Sequence, residues 1–208
     1  MVKLKGPLGS AEARGSFGDS AVFSSWKGRS YARSKTIPTN PKTPMQVSTR
    51  AMMAFLANQW STLTEVQKAT WNAAASNAKI PAYNQFISAN LGRWSELRAP
   101  GRKDPATEAG NLPSVDTFYA EGKTAHAELA ADWYDLNNAW GLLIFRSTAS
   151  GFAPSRSNCI AIIPLTATGG PLYDDQGLEP RPYHYNFRSF TTDGKLSANL
   201  GQVSAIVT

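Results

Sequence analysis

Cysteine is almost absent from the 208-residue chain. Cys159 stands alone, which excludes an internal disulfide and any cysteine-based zinc cage, and its apolar setting, CIAII, reads as an inert core strand. Histidine is nearly as scarce. His126 and His184 share no metal-ligand spacing such as HxxxH and are expected to be structural strand residues. No GxSxG elbow, Walker A loop or GxGxxG turn is present, and Gly6, Gly9, Gly15 and Gly18 lack the Lys-Ser/Thr of a phosphate loop. The longest apolar runs, 140–145 and 159–163, are strand-length, so no membrane helix is expected. Residues 1–10 carry charge but no apolar h-region, so no secretory signal is expected either. Asp174-Asp175, with Asp132, Asp135 and Asp193, read as solvated turn acids rather than a calcium site or a glycosidase pair. Together these gaps lead us to expect no enzyme, cofactor, metal or small-molecule substrate.

Charge, by contrast, is present and uneven. The net charge is +6. Residues 1–50 hold nine Lys/Arg against two acids, whereas residues 111–208 hold six against nine. A basic N-terminal segment calls for an acidic partner, either nucleic acid or an acidic protein surface.

The first 42 residues read as an extended basic arm, with 1–19 rich in Gly, Ser and charge. Within it, Ala21–Trp26 and Arg29–Arg33 flank Lys27-Gly28 and predict a β-hairpin. So small a ribbon is not stable alone, and its aromatics are too apolar for a free tail. We therefore expect a partner to meet Arg14, Phe23, Trp26, Lys27, Arg29, Tyr31, Arg33 and Lys35. Residues 43–94 hold the clearest helical punctuation. Thr43-Pro44-Met45-Gln46 and Thr64-Glu65-Val66-Gln67 each read as a capping box. Helices are predicted over about 44–59, 65–78 and 81–94, forming a small three-helix unit whose core includes Trp60, Trp71, Phe86 and Trp94.

Periodicity is lost over 95–113, where Pro100, Gly101, Pro105, Gly110 and Pro113 predict a linker. From 114 to 208 the pattern is β. Residues 124–129 alternate, 141–147 and 158–165 read as buried strands, YHYNFRSF at 183–190 alternates at period two, Asp193-Gly194 marks a turn, and 202–208 close the chain. The expected fold is α+β in two domains: arm with hairpin, three-helix unit, and C-terminal antiparallel β-sandwich.

Three resemblances add to this reading. Leu178-Glu179-Pro180-Arg181-Pro182-Tyr183, then YHYNFRSF and TTDGKLSA, resemble the strand F entry of a fibronectin type III or Ig-like sandwich, one residue shorter than the usual spacing. The resemblance implies that Tyr183 is the corner tyrosine, bonding upstream backbone through its hydroxyl, and that Trp133 or Trp140 is the core tryptophan. Trp60, Leu63, Lys68, Trp71 and Ala75 resemble part of an HMG box, which implies a DNA-binding architectural protein. These helices, however, carry few cations and no apolar wedge. The ordered set RGSFGD, KGRSYAR, PTNPKTPMQ, W..LT...K..W and FISAN is similar to proteins of tailed bacteriophages. That similarity implies a virion structural protein, assembled in the host cytoplasm as a capsid decoration, head-tail or tail component. Its expected partners are other virion proteins in many symmetric copies, with nucleic acid as a further candidate for the arm. DNA-binding architecture is the alternative, and a carbohydrate-binding module using Tyr173, Tyr183 or Tyr185 comes last.

Overall fold

A computed structural model describes residues 2–3, 14–26, 28–37, 39–166 and 169–208. The chain divides into two compact units, Met1–Pro41 and Lys42–Thr208. Its only division therefore falls ahead of the helices, not between helices and strands.

In the first unit, alternation and a glycine turn build a sheet. Strands β1 (Val2–Lys3), β2 (Gly15–Phe17), β3 (Ala21–Trp26) and β4 (Arg29–Ser34) pair antiparallel in the order β1-β4-β3-β2. The predicted hairpin is β3–β4. Trp26 pairs with Arg29 across a two-residue turn, and Gly28 takes φ +74°, the left-handed region such a turn needs. Lys27 lies outside the described residues. The stretch read as merely extended supplies β2, joined to β3 by a turn in which the Ser20 N–H donates to the Phe17 carbonyl at 3.2 Å.

The second unit begins with three helices near their predicted bounds: α1 (Pro44–Trp60), α2 (Glu65–Ala78) and α3 (Ala82–Ser95). Thr64 forms the expected reciprocal box, accepting from the Gln67 N–H at 3.3 Å while its own N–H donates to Gln67 Oε1 at 3.0 Å. Thr43 does not. It makes no side-chain cap bond, and α1 starts on the preset φ of Pro44 alone.

Two antiparallel sheets follow. One has the order β5-β6-β9, from β5 (Ser114–Lys123), β6 (His126–Asp135) and β9 (Gly169–Gln176). The other has the order β11-β10-β7-β8, from β7 (Ala139–Ser147), β8 (Cys159–Pro164), β10 (Pro182–Thr191) and β11 (Gln202–Ile206). Their inner faces share one core, in which Phe118 stacks on Phe187 with centroids 4.1 Å apart and Trp133 meets Phe118 edge-on. At the far end of β5 the approach is backbone to backbone. A Cβ on Gly122 would stand 1.9 Å from the Ile206 carbonyl oxygen.

The helices are not a separate domain. They form a third layer on the outer face of the four-stranded sheet, and α1 buries Met52, Phe55 and Leu56 there with Trp140, Phe145, Ile162 and Phe190. Phe55 sits 5.2 Å from the Trp140 ring and 5.4 Å from Phe190, and the Trp140 indole N–H donates to Gln59 Oε1 at 2.8 Å. In β7, Leu142 and Ile144 enter the inter-sheet core while Leu143 and Phe145 enter the helical one. A strand covered on both faces must be apolar at every position, which is why this run does not alternate.

The expected linker is likewise corrected. Residues 95–113 are pinned along the body. The Trp71 indole N–H donates to the Arg102 carbonyl at 2.8 Å, and the buried Asn90 side chain both donates to and accepts from Gly101. The Arg102 N–H donates to the Thr192 carbonyl, the Glu108 N–H to Asp193, and the Thr191 hydroxyl to Ala109. Arg93 of α3 donates to the Ala99 carbonyl, Glu108 Oε1 and the Gly194 carbonyl. Hydrogen bonds from Arg98 and then Arg93 hold the Glu108 carboxyl below its usual range. Proline and glycine here shape a close-fitting strap rather than a loose tether.

Candidate functional site

The sheet of the first unit gathers most of the predicted contact residues. Alternation and register sort its side chains onto two faces. Phe23 pairs with Ala32, and Ala21 with both Ser34 and Phe17, so Phe17, Ala21, Phe23 and Ala32 share an apolar face softened by serines. On the other face Trp26 pairs with Arg29, Ser24 with Tyr31 and Val22 with Arg33. That face joins two aromatic rings to two guanidinium groups. No residue of 14–26 or 28–37 is fully buried; Phe17 is 61% exposed and Trp26 69%.

Two predicted residues stand apart from these faces. Lys35 forms an ion pair with Asp19 at 2.6 Å and donates to the Gly18 carbonyl, closing the β2–β3 corner. Arg14 precedes β2 and is exposed. Phe17, absent from the expected contact residues, is also exposed on this sheet. The signal for it was there, in the single turn Gly18-Asp19-Ser20 between two β-leaning runs.

The residue types that carry catalysis occupy structural settings. Burial pushes the Cys159 thiol up to about 12. His126 Nδ1 lies 3.0 Å from the Thr124 carbonyl oxygen and its Nε2 3.7 Å from Glu128. Buried Asp175 accepts two bonds from Arg146 Nη1, at 2.7 and 2.8 Å, and a third from the Tyr185 hydroxyl at 2.9 Å. Its neighbour Asp174 accepts from Gln176 instead. Among the described residues no group of three or more His, Cys, Asp or Glu is placed to hold a metal ion, and no helix is long and apolar enough to cross a membrane.

Tyr183 is buried in the inter-sheet core, but the corner bond expected of it is not found among the described residues. The Arg146 guanidinium lies 5.5 Å over its ring, and Tyr185 makes the buried hydroxyl bond instead. Burial raises the Tyr185 pKa, and Asp175 adds to the shift. Trp71, Phe86 and Trp94 are buried, and Trp60 is half-buried with its ring 5.3 Å from Phe86. Both candidate core tryptophans are buried, Trp133 between the sheets and Trp140 under the helices. The aromatics proposed for a glycan face therefore point inward, apart from half-buried Tyr173; the exposed pair on the outer face of β5 and β6 is Tyr119 and Tyr134.

Several concavities mark the described residues of the second unit. One of about 580 Å³ lies between Glu128, Ala130, Pro171, Leu172 and Asp174. Another of about 290 Å³ separates α1 from β8 at Ala54, Asn58, Ile160 and Ile163. A third, of about 470 Å³, is lined by Arg146, Glu179, Arg181 and Tyr183. Its two arginines are each neutralised, by Asp175 and Glu179 respectively.

No protein-family model and no curated protein matches the chain. Among solved structures it is similar to a β-1,2-glucanase from Parabacteroides distasonis, at 18% identity and a TM-score of 0.36, over 48% of this chain and 13% of that one. It is also similar to the PmoD soluble domain from Methylocystis sp., at 13% identity and a TM-score of 0.31, over 48% of this chain and all of that one.

Proposed function

We propose that the chain is a non-enzymatic structural component of a tailed-bacteriophage virion, held to neighbouring particle proteins through its N-terminal sheet. The observation that carries this reading is the apolar face of that sheet. Phe17, Ala21, Phe23 and Ala32 lie together on a four-stranded sheet in which no residue of 14–26 or 28–34 is fully buried. Aromatic surface left in water forgoes roughly 25 cal/mol per Å², and a protein partner recovers it. The likeness of RGSFGD, KGRSYAR and PTNPKTPMQ to phage proteins supplies the setting, with assembly in the host cytoplasm and many symmetric copies. In that setting the body is what the arm presents.

We read residues 114–208 as fibronectin type III-like. The support is a three-on-four strand order, β5-β6-β9 against β11-β10-β7-β8, joined by antiparallel pairs throughout. Against a glycan-binding role stand the inward tyrosines of β10.

Deleting residues 1–35 tests the docking role. The second unit keeps its own core, so the truncated chain is expected to fold, with an unchanged melting temperature, and to be missing from purified particles. Incorporation of the truncated chain at the level of the full one removes the sheet as the attachment device.

A further inference from the structure

The sheet of the first unit has a second face, and its chemistry differs from the apolar one. It carries Trp26, Tyr31, Arg29 and Arg33, with Val22 and Ser24 between them and no carboxylate among its described residues. Resting on the reading that this sheet is the contact device, we infer that its Trp26–Tyr31 face binds single-stranded nucleic acid.

Position is the first argument. Both aromatics lie on β3 and β4, the two central strands of the order β1-β4-β3-β2. Trp26 pairs with Arg29 and Tyr31 with Ser24, so the rings are diagonal neighbours, about 7–8 Å apart at their backbones. That places two π-faces within reach of neighbouring nucleotides of an extended strand. Each ring stacks a base without regard to its identity, and a four-stranded sheet with aromatics on its open face is a geometry suited to unpaired bases.

Charge is the second. Arg29 and Arg33 are exposed, on the same side as the rings and about 13 Å apart along β4. They can meet phosphates flanking the stacked bases. The lone described acid of the unit, Asp19, is engaged with Lys35 at the β2–β3 corner and does not offset them. A fully apolar partner would leave two desolvated guanidinium groups, which is costly; a phosphate backbone satisfies them.

Width argues for a single strand over a duplex. Four strands span about 14 Å from first to last, more than the major groove of about 12 Å that admits a two-stranded ribbon.

The test uses the full chain and a fluorescein-labelled oligothymidylate, read by anisotropy at low salt. The wild type is expected to bind. Trp26→Ala with Tyr31→Ala should weaken binding tenfold or more, while Trp26→Phe, which keeps a ring in the strand, stays within about threefold of wild type. Arg29→Gln with Arg33→Gln should flatten the dependence of log affinity on log salt by about 1.4. Val66→Ser, at an exposed position of α2, should leave affinity unchanged. The inference is overturned by no anisotropy change in the wild type, by full affinity in the double alanine variant, or by equal binding of duplex DNA. Equal competition from polyglutamate overturns it in favour of an acidic protein surface. A chain that joins particles but ignores the oligonucleotide sinks this inference alone. One that binds the oligonucleotide yet never co-purifies with particles sinks the docking reading alone.

Discussion

The molecule holds two four-stranded antiparallel sheets, β1-β4-β3-β2 and β11-β10-β7-β8, and they have opposite fates. The second is covered twice, by helices on one face and by β5-β6-β9 on the other, so that β7 is buried at six consecutive positions from Trp140 to Phe145. In the first, no residue of 14–26 or 28–34 is fully buried. Strand pairing is antiparallel throughout both, because hairpin turns and alternation are local properties. Burial is what separates them. A sheet that leaves Phe17 and Trp26 largely exposed suits the proposed docking role, and its two faces differ in chemistry.

The contrast predicts where substitutions matter. Trp71→Ala should cost the most, about 3–5 kcal/mol, because it empties a buried site against Phe86 and frees the Arg102 carbonyl; a denaturant midpoint unchanged from wild type would place Trp71 outside the core. Gly122→Ala comes next, at about 1–3 kcal/mol, since its methyl meets Ile206 backbone rather than a side chain that can swing away. Urea melts check this, and a neutral result would mean that β5 and β11 yield easily there. Thr64→Ala removes one half of the α2 capping box and should cost about 1 kcal/mol, visible as a small fall in melting temperature. Smallest of all, Trp26→Ala should change body stability by less than about 0.5 kcal/mol despite removing the largest side chain of its sheet. A drop comparable to Trp71→Ala would erase the distinction between the two sheets.

Other parts of the chain show why some features were legible and others not. Thr64-Glu65-Val66-Gln67 announces α2 because a cap is settled within four residues. The hairpin at Gly28 is readable for the same reason. β5 and β9 went unrecognised: SVDTFYAEGK and GGPLYDDQ carry glycines, a proline or acids, and each bends through a register shift where it pairs with β6. The strap at 95–113 was misread for a related cause. Its composition is that of a linker, and its ordering comes from Asn90, Arg93 and the turn at 191–194, up to about a hundred residues away. As for the candidate site, residue type alone singled out Trp26, Arg29, Tyr31 and Arg33 in the sequence, but their shared face emerged only from the strand register.

By itself the sequence determined the helix bounds, the β3–β4 turn, the basic bias of the first fifty residues and which strands are apolar enough to be buried. These depend on dihedral preference, local hydrogen bonds and summed charge, all of which operate over a few residues. Tertiary structure alone decided that the helices lie on the sheet, through contacts such as Trp140 to Gln59 across 81 residues, and that the sheet of the first unit has two unlike faces. Apolar residues state that they must be buried; only the fold states against what.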